Sequence, residues 1–186
     1  ALGWDVPSFA HVPLIHGPDG AKLSKRHGAL SVSAYRDMGY LPEAVCNYLT
    51  RLGWAHGDME LFTMSEAADV FDLSGIGKAP ARLDFDKLSA TNGYYIKRTP
   101  VETLASLVKD ELSKTVEITT DIEARITVSI GEMRDRGDTI PALAEAFEFL
   151  TTSRPLTLNK KARKSLRGEG LDRLALVRDD MAKTEP

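Results

Sequence analysis

Ile122, Ile126, Ile130 and Met133 place a bulky apolar residue every three or four positions. That period is helical, and it overrides the β-prone string ITVSI that it runs through, because only a helix gathers those four side chains on one face. The same reasoning extends over the chain from Thr99 onward and predicts helices over 101–112, 122–136, 141–150, 160–166 and 171–181. The segment TPVE (99–102) reads as a helix start, with a capping-box pair at Thr99 and Glu102 and a proline at the first helical position. Gly137, the SRP turn at 153–155 and the GEG stretch at 168–170 separate these helices. Short amphipathic helices with short connections pack as an antiparallel array.

Before Thr99 the pattern is mixed. HVPLIHG (11–17) is a brief apolar run ending in glycine and reads as a strand. Residues 31–38 read as a short helix capped by Ser31 or Ser33. LPEAVCNYLTRLGW is a clearer helix, with Pro42 in its first turn, Val45, Tyr48, Leu49 and Leu52 on one face and Gly53 as its stop. Ser65 is expected to open a short helix, SEAADVF. The glycine-rich stretch from Gly75 turns helical near Asp84. The expected fold class is therefore mainly α with a small α/β part, divided into residues 1–98 and residues 99–186.

Composition narrows the setting. The chain has 186 residues, 42% of them hydrophobic, with a net charge of −3. That charge argues against a wholly basic nucleic-acid coat but leaves room for local basic faces. Cys46 is the single cysteine, so no disulfide and no Cys-rich zinc site can form within the chain, and no metal site is expected. No apolar run approaches the roughly 20 residues that span a bilayer, and no signal peptide is visible. A cytoplasmic, membrane-free setting is expected. The sequence opens at Ala1 without methionine, which leads to the expectation of a segment of something longer. Charge is uneven in the second half. Ten acids and four bases fall in 110–148, a net of −6, whereas seven bases and two acids fall in 154–173, a net of +5. Such asymmetry marks either a binding face or a solvated surface.

GPDGAKLSKRHG (17–28) sets Lys22, Lys25 and Arg26 between glycines, with Asp19 as its one acid. The spacing is wrong for a Walker phosphate loop, since no glycine directly precedes Lys22 and no Ser or Thr directly follows it. Two lysines three apart on a loop edged by glycines can still close on a polyphosphate and neutralise charge developing on its leaving group. An ordinary surface turn carries such lysines too. Further on, Lys78, Arg82, Lys87, Lys97 and Arg98 are interleaved with Asn92, Tyr94 and Tyr95. Cations that hold phosphate and aromatics that stack on bases suit RNA, whereas a plain amphipathic helix would turn the tyrosines inward and the lysines outward.

KLSKR within PLIHGPDGAKLSKRHGA resembles the KMSKS signature of class I aminoacyl-tRNA synthetases, and the HG that follows resembles the glutamyl-tRNA synthetases. YRDMGYLPEAVCNYLTRLGW is similar to that family's helix pair ending in L-G-W. KAPARLDFDKLSATNGYYI is similar to its K-x-P-A-R-x-D-x-x-K-L-x-x-x-N-x-x-Y-I stretch, departing from it at Ala90 and Thr91. RDRGDTIPALAEAFEFLTTSRPL resembles the start of its helical anticodon-binding part. The likeness is ordered from His11 to Arg98 and looser beyond Thr99.

The resemblance implies ATP-dependent attachment of glutamate to tRNA(Glu) through glutamyl-adenylate, with ATP accompanied by Mg2+ as substrate. It implies that Lys25, assisted by Lys22, meets the ATP phosphates, that Leu23, Ser24 and Arg26 lie near the nucleotide, and that Lys78, Arg82, Lys87, Asn92, Lys97 and Arg98 contact tRNA. It implies a stem-contact fold at the end of the catalytic domain (1–98), followed by the start of an anticodon-binding region (99–186), in a monomeric enzyme. None of His11, His16 and His27 sits in the family's HIGH-type pattern, and His16 reads as a loop or core histidine. This segment alone is expected not to aminoacylate. Two other readings are a non-catalytic RNA-binding module and a glutamyl-queuosine-type synthetase paralogue. Residue order in the loop counts against the first, and the helices after Thr99 count against the second.

Overall fold

The structure is a computed structural model that describes residues 3–7, 9–23, 31–152 and 157–183. The chain divides into two compact units, residues 1–151 and 152–186.

The first unit begins with an exposed run in which Trp4, Val6, Phe9 and Val12 face solvent. The strand expected over 11–17 shortens to β1 (Ile15–His16), which pairs in parallel with β2 (Ala81–Arg82) in the register Ile15 to Ala81 and His16 to Arg82. Helix α1 (Val32–Asp37) is capped by the Ser31 hydroxyl, which accepts from the Ala34 amide. Helix α2 (Pro42–Gly53) follows a turn at Gly39, whose φ of +79° suits glycine. Helix α3 (Met64–Val70) starts one residue before the expected Ser65. The reason is a capping box, in which the Thr63 hydroxyl accepts from the Glu66 amide while the Glu66 carboxylate accepts from the Thr63 amide. Helix α4 (Phe85–Arg98) is capped by Asp84, which accepts from the Asp86 and Lys87 amides.

Past α4 come α5 (Val101–Leu112), α6 (Thr120–Met133) with a 3-10 turn at Arg134–Arg136, α7 (Ile140–Glu145) and α8 (Glu148–Thr151). The helical period at Ile122–Met133 holds: Ile126 and Ile130 are buried, and Ile122 and Met133 pack against the same core. The expected capping box at Thr99 and Glu102 does not form. The Thr99 hydroxyl instead donates to the Tyr95 carbonyl at 2.9 Å, closing α4, and Pro100 precedes α5. The single helix expected over 141–150 breaks at Ala146–Phe147, where three-residue hydrogen bonds tighten the chain as Phe147 enters the core.

Arg98–Thr99 is thus a bend inside the first unit rather than its edge. Leu41, Ala44 and Ile96 share one core with Leu104, Val108, Ile126, Ile130, Leu143 and Phe147. A buried polar knot ties the two sides as well. The Asn92 side-chain oxygen accepts from the Leu41 amide at 2.7 Å, and its nitrogen donates to the Asp138 carbonyl at 2.7 Å and the Gly39 carbonyl at 3.4 Å. The Ile140 amide donates to the same Gly39 carbonyl. A second core joins Tyr35, Tyr40, Val45, Tyr48, Leu83 and Leu88, and a third holds Trp54, Phe62 and Ala67.

The second unit contains α9 (Lys160–Ser165), capped by Asn159, and α10 (Glu169–Met181). The GEG break is one residue long, because Gly168 alone takes φ of +56° and Glu169 and Gly170 belong to α10. Leu171, Leu174, Val177 and Met181 are exposed. The SRP turn at 153–155 lies outside the described residues.

Candidate nucleotide loop and cationic surface

The cationic loop is entered through a tight hairpin. After β1, the Gly17 amide donates to the Ala21 carbonyl at 2.8 Å, and the Gly20 amide donates to the Gly17 carbonyl at 2.9 Å. The Asp19 carboxylate accepts from the Ala21 amide at 3.0 Å, and Gly20 takes φ of +80°. The chain then returns antiparallel to β1, with Lys22 opposite His16 and the Leu23 amide donating to the Ile15 carbonyl at 2.9 Å. Asp19 therefore shapes the turn instead of opposing the lysines, and the first half of the loop is a hydrogen-bonded stem. Leu23 anchors it against the second core, with Ile15 and Leu83 beside it. Lys22 is exposed at the end of this stem. Ser24, Lys25 and Arg26, expected to complete the phosphate contacts, lie outside the described residues, as does His27.

On the other side of β1 the backbone of β2 closes the ribbon. The Ala81 amide donates to the Leu14 carbonyl at 3.0 Å, and the Leu83 amide donates to the His16 carbonyl at 2.8 Å. Arg82 is consequently held beside the hairpin. A Cβ built on Gly20 would stand 3.0 Å from the Arg82 guanidinium. Arg82 and Lys87 line a cleft of about 260 Å3 together with Arg51 and Tyr48. Arg51 is structural in character, since its guanidinium donates to the Met59 carbonyl at 2.6 Å and meets Glu60 at 3.4 Å.

Of the six residues expected to touch RNA, five lie on the surface and one does not. Lys78, Arg82, Lys87, Lys97 and Arg98 are exposed. Asn92 is 0% exposed with its amide used on three backbone partners, so it is a structural residue. Lys97 pairs with Asp135 at 3.2 Å, and Arg134 donates to the Lys97 carbonyl at 2.7 Å at the C-terminal end of α4. The Arg98 guanidinium lies 3.5 Å from the centroid of the Tyr94 ring, a cation–π contact. Together the pair lines the largest cleft described, about 760 Å3, between the N-terminal ends of α2, α3 and α5.

Tyr95 lines the same cleft, its ring edge-to-face with Tyr94 at 5.4 Å between centroids. Its hydroxyl donates within reach of the Asn47 side-chain oxygen at 3.0 Å and the Phe62 carbonyl at 2.7 Å, and burial raises its pKa. Burial likewise raises the pKa of Tyr48, whose hydroxyl accepts from the Asp84 amide at 2.7 Å, and of Tyr35. Hydrogen bonds from Thr63 hold Glu66 below its usual carboxylate range. Among the described residues no group of three or more His, Cys, Asp or Glu side chains could hold a metal ion, and no helix is long and apolar enough to cross a membrane.

Residues 1–90, the part that carries the hairpin, β2 and the start of α4, match the family of class I tRNA synthetases (E and Q), catalytic domain. Within that class the likeness is to the glutamate enzymes. The chain is 56% identical over 98% of its length to a glutamate–tRNA ligase of Hyphomonas neptunium, and 47% identical over its whole length to one from Rhodospirillum rubrum. It superposes with a TM-score of 0.80, at 29% identity and over 99% of its length, on a glutamate–tRNA ligase of Elizabethkingia meningosepticum solved in complex with its amino acid. The chain spans 38% and 40% of the two curated relatives and 40% of the solved one.

Proposed function

We propose that this chain is a segment of a glutamate–tRNA ligase and supplies its KMSKS-type ATP loop and part of its tRNA-facing surface. The observation that carries the reading is similarity to glutamate–tRNA ligases along nearly the whole chain, at up to 56% identity, together with a rigid stem that presents Lys22 at the entry to KLSKR. In the reaction a glutamate carboxylate oxygen attacks the α-phosphorus of ATP, the bond to the β-phosphate breaks, and pyrophosphate leaves. The terminal ribose hydroxyl of tRNA(Glu) then takes the glutamyl group and AMP departs.

Lys25 and Lys22 are the residues for charge developing on the pyrophosphate. A lysine is a compact cation on a flexible stem, suited to following a leaving phosphate. Leu23 contributes backbone and anchoring, Ser24 a hydroxyl and Arg26 further positive field. Mg2+ enters with ATP as part of the substrate. Lys78, Lys87, Lys97 and Arg98 are the cations for tRNA phosphates, with the basic residues of 154–173 as a second group. Residues up to Arg98 then carry the end of the catalytic domain and a stem-contact fold, packed in one compact unit with the first helices of the anticodon-binding region, in a monomeric cytoplasmic enzyme. The segment by itself is expected not to aminoacylate, since none of His11, His16 and His27 sits in a HIGH-type pattern.

The test is aminoacylation by the full-length protein with labelled amino acids and tRNA(Glu). Glutamate-specific, ATP-dependent esterification is expected. Tight tRNA binding without ester formation would favour a non-catalytic RNA-binding module.

A further inference from the structure

β1 lies between β2, its partner in a two-stranded sheet, and the returning limb of the hairpin, which it meets through a single bridge. On one side His16 faces Lys22 of the returning hairpin strand, and on the other it is in register with Arg82 of β2. Residues directly opposite one another project from the same face, with neighbouring strands about 4.8 Å apart, while adjacent residues along a strand alternate. Burial agrees with this alternation. Ile15, Leu23 and Leu83 face the second core, and Lys22 and Arg82 are exposed. The ribbon therefore has an apolar row on its inner face and a row Lys22–His16–Arg82 on its outer face.

Three further features bear on what that row can do. The His16 ring bonds through Nδ1 to the Gly20 carbonyl at 3.0 Å. A carbonyl only accepts, so Nδ1 carries the hydrogen and the ring is locked in place between the two cations. Arg82 lies close to Gly20, its guanidinium 3.0 Å from the position of a Cβ there. Among the described residues no ion pair involves either Lys22 or Arg82: Asp84 and Asp86 line a cleft with Arg82 without pairing with it, and Asp19 accepts from the Ala21 amide. An unpaired guanidinium fixed on a strand, in line with an unpaired lysine, is a receptor for a phosphate: it offers a planar fork where lysine offers a point charge.

We infer that Arg82 is a phosphate-binding residue of the ATP site, acting in one row with Lys22 across His16, and not part of the tRNA surface. The inference rests on the ligase reading of the KLSKR loop. It goes beyond that reading, because Arg82 is 60 residues along the chain from Lys22, outside the loop motif.

The test is ATP–pyrophosphate exchange by the full-length enzyme, with glutamate and tRNA present, comparing wild type, Arg82→Gln and Arg82→Lys. Removing a charge-assisted hydrogen bond is expected to raise the KM for ATP about tenfold or more in Arg82→Gln. The KM for tRNA and the thermal midpoint stay at wild-type values, and Arg82→Lys recovers part of the loss. An ATP KM within twofold of wild type overturns the inference. So does a loss confined to the KM for tRNA, which would move Arg82 to an RNA phosphate, or a fall in kcat and thermal midpoint at constant ATP KM, which would make it a prop for the hairpin. Absence of any glutamate-dependent exchange in the wild type would instead overturn the ligase reading itself.

Discussion

Single residues do unexpected work at the junction of α4 with the turn before α2. Asn92 looked available for RNA because it sits among cations and tyrosines in sequence, yet it is the buried link between the Leu41 amide and the Asp138 carbonyl. Nothing in a one-letter string distinguishes a surface asparagine from one whose partners lie 51 and 46 residues away. Asn92→Ala leaves a buried donor and a buried acceptor unpaired, each costing about 1–3 kcal/mol. A loss near 3 kcal/mol in denaturant unfolding, with unchanged m value, is expected, and a loss under 1 kcal/mol would contradict the knot. Gly93 adds to the argument, because a Cβ there would collide with the Asp138 carboxylate. His16 was likewise legible only as a loop or core histidine. Its place between Lys22 and Arg82 depends on a strand pairing between residues 66 apart in the chain, His16 and Arg82.

At the scale of elements, most helices were legible because their apolar residues keep the helical period and their caps are local. Ser31 and Asp84 sit where capping rules put them, and α2 ends at Gly53, although Gly53 is its last helical residue and not the left-handed residue beyond it. Two failures at helix starts come from local capping choices. Thr99 turned back to Tyr95, so α5 lost its expected cap, and Thr63 displaced Ser65 as the start of α3. The two-residue strands were nearly invisible, since a strand this short has no period to show. Tyr95 is the bolt between elements, joining α4 to Asn47 of α2 and to the Phe62 carbonyl before α3. Its pKa is raised by burial, as are those of Tyr35 and Tyr48. A raised folded-state pKa favours the protonated form. The stability from these three phenols is thus fully present below pH 10.0, the unfolded value, and is lost as pH climbs through the higher folded values. Denaturant midpoints measured from pH 8 to 11.5 are expected to fall only at the alkaline end, and Tyr95→Phe should flatten that fall. A midpoint that declines between pH 8 and 9 would contradict this origin.

At the scale of the molecule, the first compact unit ends at Thr151, not at the bend after Arg98. The sequence suggested a boundary there because the pattern changes from mixed to helical, but Ile96 and Leu41 lie in the same core as Leu104 and Phe147. Limited proteolysis is expected to cut between residues 151 and 160 and spare 96–102, and early cleavage at 98–100 would restore the original division. For tRNA, the exposed cations Lys78 and Arg98 are expected to act through phosphate, so binding by the full-length protein should weaken with a log–log salt slope of about −0.7 to −0.9 per phosphate neutralised. Lys78→Glu with Arg98→Glu should flatten that slope, and identical slopes would return both residues to plain solvated surface. The function as a whole stands on the loop that follows Lys22. Glutamate-dependent ATP–pyrophosphate exchange by the full-length enzyme, wild type against Lys25→Ala, addresses it most directly. Loss of one donor to the developing pyrophosphate charge costs about 3 kcal/mol, so the exchange rate should fall a hundredfold or more while glutamate binding is retained. A Lys25→Ala enzyme that exchanges within a few-fold of wild type would contradict the assignment of KLSKR as the ATP loop.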